Sequence, residues 1–184
     1  MSERVCPWWL GYFLINPVRK YRHNPDKILG KYIQQGMKTV DFGSAMGYFS
    51  LPMAKMTGES GKVYCFDIQE KMLSKLKQRA VNTRVDKIIE PRLIEKGKDV
   101  YSDIQGEIDF ALLCAVAHEV PDRQRLFNTL FSMLKNGGKL LFAEPAGHVS
   151  EKDFEQSVSF AELAGFIRAE TPQVGRSHSV LLAK

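Results

Sequence analysis

The sequence predicts an α/β protein: a doubly wound, mostly parallel seven-stranded sheet with helices on both faces and an antiparallel last strand. Three observations lead there. From residue 38 onward, short β-rich runs alternate with amphipathic segments. Those runs are apolar almost without interruption, as strands covered on both faces are. Near the end the alternation breaks, because two runs follow each other with no helix between them. Such a pair forms a hairpin, which reverses the final strand.

The parallel strands are expected at residues 39–42, 62–66, 88–94, 108–115 and 139–143. Between them, Met72, Leu73, Leu76 and Ala80 make one helical stripe. Leu126, Phe127, Leu130, Phe131 and Leu134 make another, opened by Pro121-Asp122 and stopped by Asn136-Gly137-Gly138. A helix over 153–164 leads through Gly165 to a strand at 166–169, and a loop with Pro172 and Gly175 returns to a last strand at 177–183. Pro52 falls near the start of the helix after the first strand, where it is tolerated.

Ahead of the sheet, residues 1–37 hold an arm with Trp8, Trp9, Tyr12, Phe13 and Tyr21, then a short helix near 25–35. So short an extension cannot close its own core, so it is expected to share one domain with residues 38–184. The arm reads as a lid over an acceptor pocket; packing on the outside or at a subunit contact is the alternative.

Composition excludes several classes. At 184 residues, 44% apolar and 26% charged, the chain is one ordinary globular domain. Its net charge of +5 is spread among acids, as in Glu70-Lys71 and Asp122-Arg123, which disfavours a nucleic-acid partner. Cys6, Cys65 and Cys114 are too scattered for a disulfide framework or a metal site. Cys65 and Cys114 fall in strands expected to be buried, and a reducing cytoplasm is the simplest location. The apolar stretch 5–18 is broken by Pro7, Asn16 and Pro17 and falls short of the roughly 20 residues of a membrane span. It also lacks the small-residue cleavage site of a signal peptide. A monomer or homodimer is expected.

The strongest chemical signal is Val40-Asp41-Phe42-Gly43-Ser44-Ala45-Met46-Gly47-Tyr48-Phe49, a strand running through a turn of small residues into a helix. Such turns let backbone N–H groups approach a ligand closely. A dinucleotide fingerprint would place a third glycine where Tyr48 sits. Asp41 suits a ligand with an amino group or hydroxyls, whereas a pyrophosphate would be repelled. The next strand ends in Asp67, 20 residues after Gly47, where an acid can accept hydrogen bonds from both ribose hydroxyls. The competing reading makes Asp67 a cap for the following helix.

These motifs resemble class I S-adenosylmethionine-dependent methyltransferases over residues 26–184, a Rossmann-like family. The family's acidic-x-Gly-x-Gly-x-Gly loop is matched by Asp41, Gly43, Ala45 and Gly47, and its ribose acid by Asp67. Its fourth strand is matched by Ile108-Asp109-Phe110-Ala111-Leu112-Leu113, and its turn before the fifth by Leu134-Lys135-Asn136-Gly137-Gly138. Ala45 and Asn136 depart from the pattern; Ala45 preserves cofactor contact if it keeps negative φ. The resemblance implies S-adenosyl-L-methionine as cofactor, held by Asp41, Gly43, Ser44, Ala45, Gly47 and Asp67. It also implies Cys114 and Ala115 beside the methionine end, and Ile68 and Glu95 flanking the adenine; an exposed loop acid is the equal alternative for Glu95.

Methyl transfer needs positioning, and a base where the acceptor carries a proton. His118 after the fourth strand, and Glu144 and His148 after the fifth, are the catalytic candidates on the rim where ligands bind such sheets. Each also has a purely structural alternative. A small-molecule acceptor is favoured. The rival functions are a non-catalytic S-adenosylmethionine-binding protein and an NAD-binding oxidoreductase.

Overall fold

The computed structural model describes residues 23–184. The strands are β1 (Lys38–Phe42), β2 (Lys62–Asp67), β3 (Ile89–Leu93), β4 (Ile108–Cys114), β5 (Leu134–Pro145), β6 (Ile167–Glu170) and β7 (Ser177–Ala183). They lie in one sheet in the order β3-β2-β1-β4-β5-β7-β6. β1, β2 and β3 pair in parallel, as do β4 and β5, whereas β7 runs antiparallel to both β5 and β6. The helices are α1 (Pro25–Leu29), α2 (Ser50–Thr57), α3 (Glu70–Asn82), α4 (Arg123–Met133) and α5 (Glu151–Leu163). Two compact units divide the chain at Val100 and Tyr101.

In the first unit, Val40, Val63, Cys65 and Phe66 are fully enclosed, as a parallel strand core requires. The α3 stripe of Met72, Leu73, Leu76 and Ala80 is the buried face of that helix. Pro52 is the third residue of α2, where the missing N–H has no intrahelical partner to lose. α1 is capped by the Asn24 side chain, which accepts from Asp26 N at 3.0 Å. It is shorter than the 25–35 expected, ending at Leu29. Gly36, at φ +85°, donates its N–H to Thr57 O at 2.8 Å and ties the chain to the end of α2. That tertiary bond competes with helix continuation. Tyr32 and Ile33 are buried along the way. The aromatic arm over residues 8–21 lies outside the described residues.

The second unit centres on Phe110, Phe127, Phe142 and Phe154, with Phe142 stacked on Phe154 at 4.9 Å and edge-on to Phe127 at 5.3 Å. Asp122 caps α4 by accepting from Arg125 N at 2.9 Å, and Ser150 caps α5 by accepting from Asp153 N at 3.1 Å. One expectation needs correction. Asn136-Gly137-Gly138 does not separate helix from strand, because α4 ends at Met133 and β5 begins at Leu134. Gly137 N donates to Lys184 O, and Lys184 N to Gly138 O, both at 3.0 Å. The far end of the chain thus draws the glycine turn into the sheet, and residues 135–138 bulge between the pairs Ile108–Leu134 and Phe110–Lys139. A second correction concerns Cys114, which is only half-buried at the end of β4, whereas Cys65 is enclosed.

Candidate active site

The first unit carries the glycine turn. Gly43 and Ser44 donate their N–H groups to Phe66 O at 2.8 and 2.9 Å, which pins the turn to the exit of β2. Gly47 sits at φ +81°, and a Cβ there would meet Leu76 Cδ1 at 2.2 Å, so glycine is needed for conformation and for space. Ala45 sits at φ +46°, not at the negative φ expected of it. Its N–H donates to Asp67 Oδ2 at 2.9 Å, and this bond holds the residue in the left-handed region.

Asp67 is 8% exposed, and its other oxygen accepts from Gln69 N at 2.8 Å. Both readings of this acid therefore hold: it anchors the start of α3 and braces the glycine turn. Burial pushes its carboxyl above the ordinary value, and backbone N–H groups of Gln69, Ala45 and Ile68 offset part of that cost. A carboxylate has about four acceptor positions, so backbone bonding leaves capacity for hydroxyl donors. Ile68, next in the chain, is 51% exposed. Glu95 is exposed beyond β3 and pairs with Lys98, the bland alternative for that residue.

Asp41 is buried within β1, and its Oδ2 accepts from the Ser50 hydroxyl at the first turn of α2. Sequence reasoning missed Ser50, since nine residues and a turn separate the pair. It also missed Arg79, whose guanidinium donates to Met46 O and clasps the glycine turn from α3. Ser44 stands apart. Its hydroxyl oxygen is buried and has no hydrogen-bond partner among the described residues. Orphaned buried hydroxyls are rare and call for a ligand or water.

The second unit carries the polar rim. Ala115 follows β4 at φ +60° and donates its N–H to Ala143 O at 2.8 Å, leaving its carbonyl as the free backbone group. His118 lies in a 3₁₀ turn, Ala117–Glu119. Its Nδ1 is 2.6 Å from Glu144 Oε2. Glu144 is 1% exposed at the end of β5, and its Oε1 accepts from Ala117 N at 2.7 Å. The hydrogen bond to Glu144 raises the His118 pKa above its ordinary value, burial partly opposes this, and the Glu144 and Glu119 charges add to the rise. Two of the three catalytic candidates are thus joined. His148 is exposed in the turn after β5, with its backbone N–H donating to Pro145 O at 2.9 Å. A separate cleft of about 380 Å³, lined among others by Phe154, Arg168 and His178, contains none of the expected site residues. Its Arg168 is held by Glu155 and Glu162. Among the described residues no cluster could hold a metal ion, and no helix is long and apolar enough to cross a membrane.

This sheet order, with its reversed last strand, defines a Rossmann-like methyltransferase fold. The chain belongs to the methyltransferase-domain family, whose model matches residues 33–174, and within it to the class I S-adenosylmethionine-dependent type. It is similar to the ubiquinone/menaquinone biosynthesis C-methyltransferase UbiE of Cronobacter sakazakii, 24% identical over 112 residues, covering 61% of this chain and 44% of the relative. The chain thus spans less than half the length of that curated relative. A SAM-dependent methyltransferase from Aquifex aeolicus superposes with a TM-score of 0.85 at 22% identity, covering 97% of this chain and 99% of that one. The [4+2]-cyclase SpnF superposes at 0.68 and 16% identity, covering 82% and 60%. The family membership removes the NAD-binding oxidoreductase alternative.

S-adenosylmethionine is the cofactor that this family implies, and the residues present fit it. The buried Ser44 hydroxyl lacks a partner, the Asp67 carboxylate retains acceptor capacity, and an apolar side chain stands open beside it at Ile68.

Proposed function

We propose that this chain transfers a methyl group from S-adenosylmethionine to a small-molecule acceptor. The observation that carries the reading is Asp67, a buried carboxylate at the end of β2 bound to the glycine turn through Ala45 N. When bound, the cofactor supplies an electrophilic methyl carbon on its sulfonium, which needs no further activation. The chain's own residues hold and orient. Asp67 accepts hydrogen bonds from the ribose diol, the 43–47 turn with Ser44 meets the amino-acid tail, and Ile68 covers one adenine face. Asp41 acts through Ser50, which it anchors at the head of α2.

On the acceptor side, Cys114 and Ala115 border the methionine end and His118 receives a proton. The C-methyltransferase named among the relatives supports a small-molecule acceptor. A binding-only protein is disfavoured by the joined His118 and Glu144, a costly arrangement for a surface with no chemistry to perform.

Calorimetric titration of the purified chain tests the reading. S-adenosylmethionine and S-adenosylhomocysteine should bind and NAD should not. Asp67→Ala should weaken cofactor binding about ten- to hundredfold, the worth of one or two charge-assisted hydrogen bonds. Asp67→Asn, which retains one acceptor oxygen, should lose less. Equal affinity in Asp67→Ala would remove the ribose assignment.

A further inference from the structure

The fourth- and fifth-strand exits present an arrangement with more content than a lone histidine. Parallel pairing sets Cys114 opposite Ala143, so the segments leaving β4 and β5 emerge side by side. Glu144 is the first residue beyond that pair, and it is enclosed. It does two jobs at once, binding Ala117 N with one oxygen and His118 Nδ1 with the other. The first bond fixes the 3₁₀ turn, and the second fixes the ring upon it. With Nδ1–H committed to the carboxylate, the neutral imidazole carries its free lone pair on Nε2.

The other charged groups around the ring leave that nitrogen open. Glu119 Oε1 lies 3.9 Å from Nε2, too far for a hydrogen bond. Arg123, at the start of α4, acts on the ring only through its charge and opposes the rise in pKa. His178, opposite Glu144 in the β5–β7 register, turns its ring onto Phe154 at 5.6 Å. The His118 side chain is 29% exposed, so a ligand can reach it.

We propose that His118 and Glu144 form a two-residue base, Glu144 holding the imidazole so that Nε2 takes the proton of a phenol- or enol-type hydroxyl on the acceptor. The inference rests on the methyl-transfer reading and narrows its substrate class. The acceptor O–H bond breaks, its proton passing to Nε2 and its electron pair staying with the acceptor. That pair, on oxygen or delocalised to the conjugated carbon, bonds to the methyl carbon as the carbon–sulfur pair returns to sulfur. The imidazolium then gives its proton to water. Phenolic protons, with a pKa near 10, are within reach of an imidazole base of raised pKa, whereas aliphatic alcohols are far too weakly acidic. An amine attacks through its neutral lone pair and a thioether has no proton to lose, so neither needs this device. Glu144 is a positioning residue; His118 touches the acceptor.

The test uses the full chain loaded with S-adenosylhomocysteine, with 4-nitrophenol as probe because its anion absorbs visible light. Below the pH at which the free probe ionises, the wild type should show the phenolate band. His118→Gln should abolish it, and Glu144→Gln, which keeps an acceptor for Ala117 N, should weaken it. Absence of the band, or its survival in His118→Gln, overturns the base. Proton NMR titration of the imidazoles, with the His118 signal assigned by its loss in His118→Gln, should show its midpoint moving to lower pH in Glu144→Gln. An unmoved midpoint overturns the role of Glu144. Calorimetry of S-adenosylhomocysteine on the same samples separates the two levels: no binding there sinks the methyl-transfer reading, and the imidazole titration then judges the pair alone.

Discussion

Ala45 shows most directly what a single residue contributes here. The family pattern has glycine at this place, and the structure gives the reason: φ is +46°, where a Cβ costs about 1–2 kcal/mol. The bond from Ala45 N to Asp67 holds the conformation against that cost. Ala45→Gly should therefore stabilise the fold by about 0.5–1 kcal/mol, since relief of strain exceeds the added freedom of the unfolded chain. Urea unfolding measures it, and a destabilised variant would refute the strain. Asp67 was legible in the sequence because strand end and spacing from Gly47 both mark it. The orphaned Ser44 hydroxyl and the Asp41–Ser50 bond were not, because spacing does not tell which way a side chain points. His118 and Glu144 could be placed on one rim by their strands, but 26 residues separate them and only the packed turn makes the bond.

Among the elements, local signals located cores and caps well. The α3 stripe, the Asp122 cap and the reversed last strand stand where the pattern put them. The failures share one cause, a tertiary partner overriding a local stop. Lys184 extends the pairing of β7 onto Gly137 and Gly138, and its Nζ donates to Phe131 O at 2.7 Å and Leu134 O at 2.8 Å, satisfying carbonyls at the end of α4. The α5–β6 connection shows the reverse, a local residue required by its packing. Gly165 sits at φ +109°, and a Cβ there would meet the Phe131 ring at 2.8 Å. Gly165→Ala should cost about 1–3 kcal/mol in urea unfolding, from overpacking and backbone strain together. An unchanged midpoint would mean that the ring moves aside freely.

For the molecule as a whole, cofactor and fold are linked thermodynamically. A ligand bound only by the native state stabilises it by about 2.7 kcal/mol at a hundred times its dissociation constant. S-adenosylhomocysteine at that excess should raise the thermal midpoint of the chain, and NAD at the same concentration should leave it unmoved. An unmoved midpoint with S-adenosylhomocysteine would count against the cofactor site, whatever the fold.

The amino-acid sequence by itself determined the alternation of strand and helix, the reversed terminal hairpin, the small-residue turn and the acid 20 residues beyond Gly47. These follow from periodicity and from short-range backbone requirements, which act between near neighbours. Only the tertiary structure decided that Ala45 is strained, that Ser44 is left unpaired and that Glu144 grips His118. Each depends on groups brought together from distant parts of the chain, whose mutual orientation is set by packing.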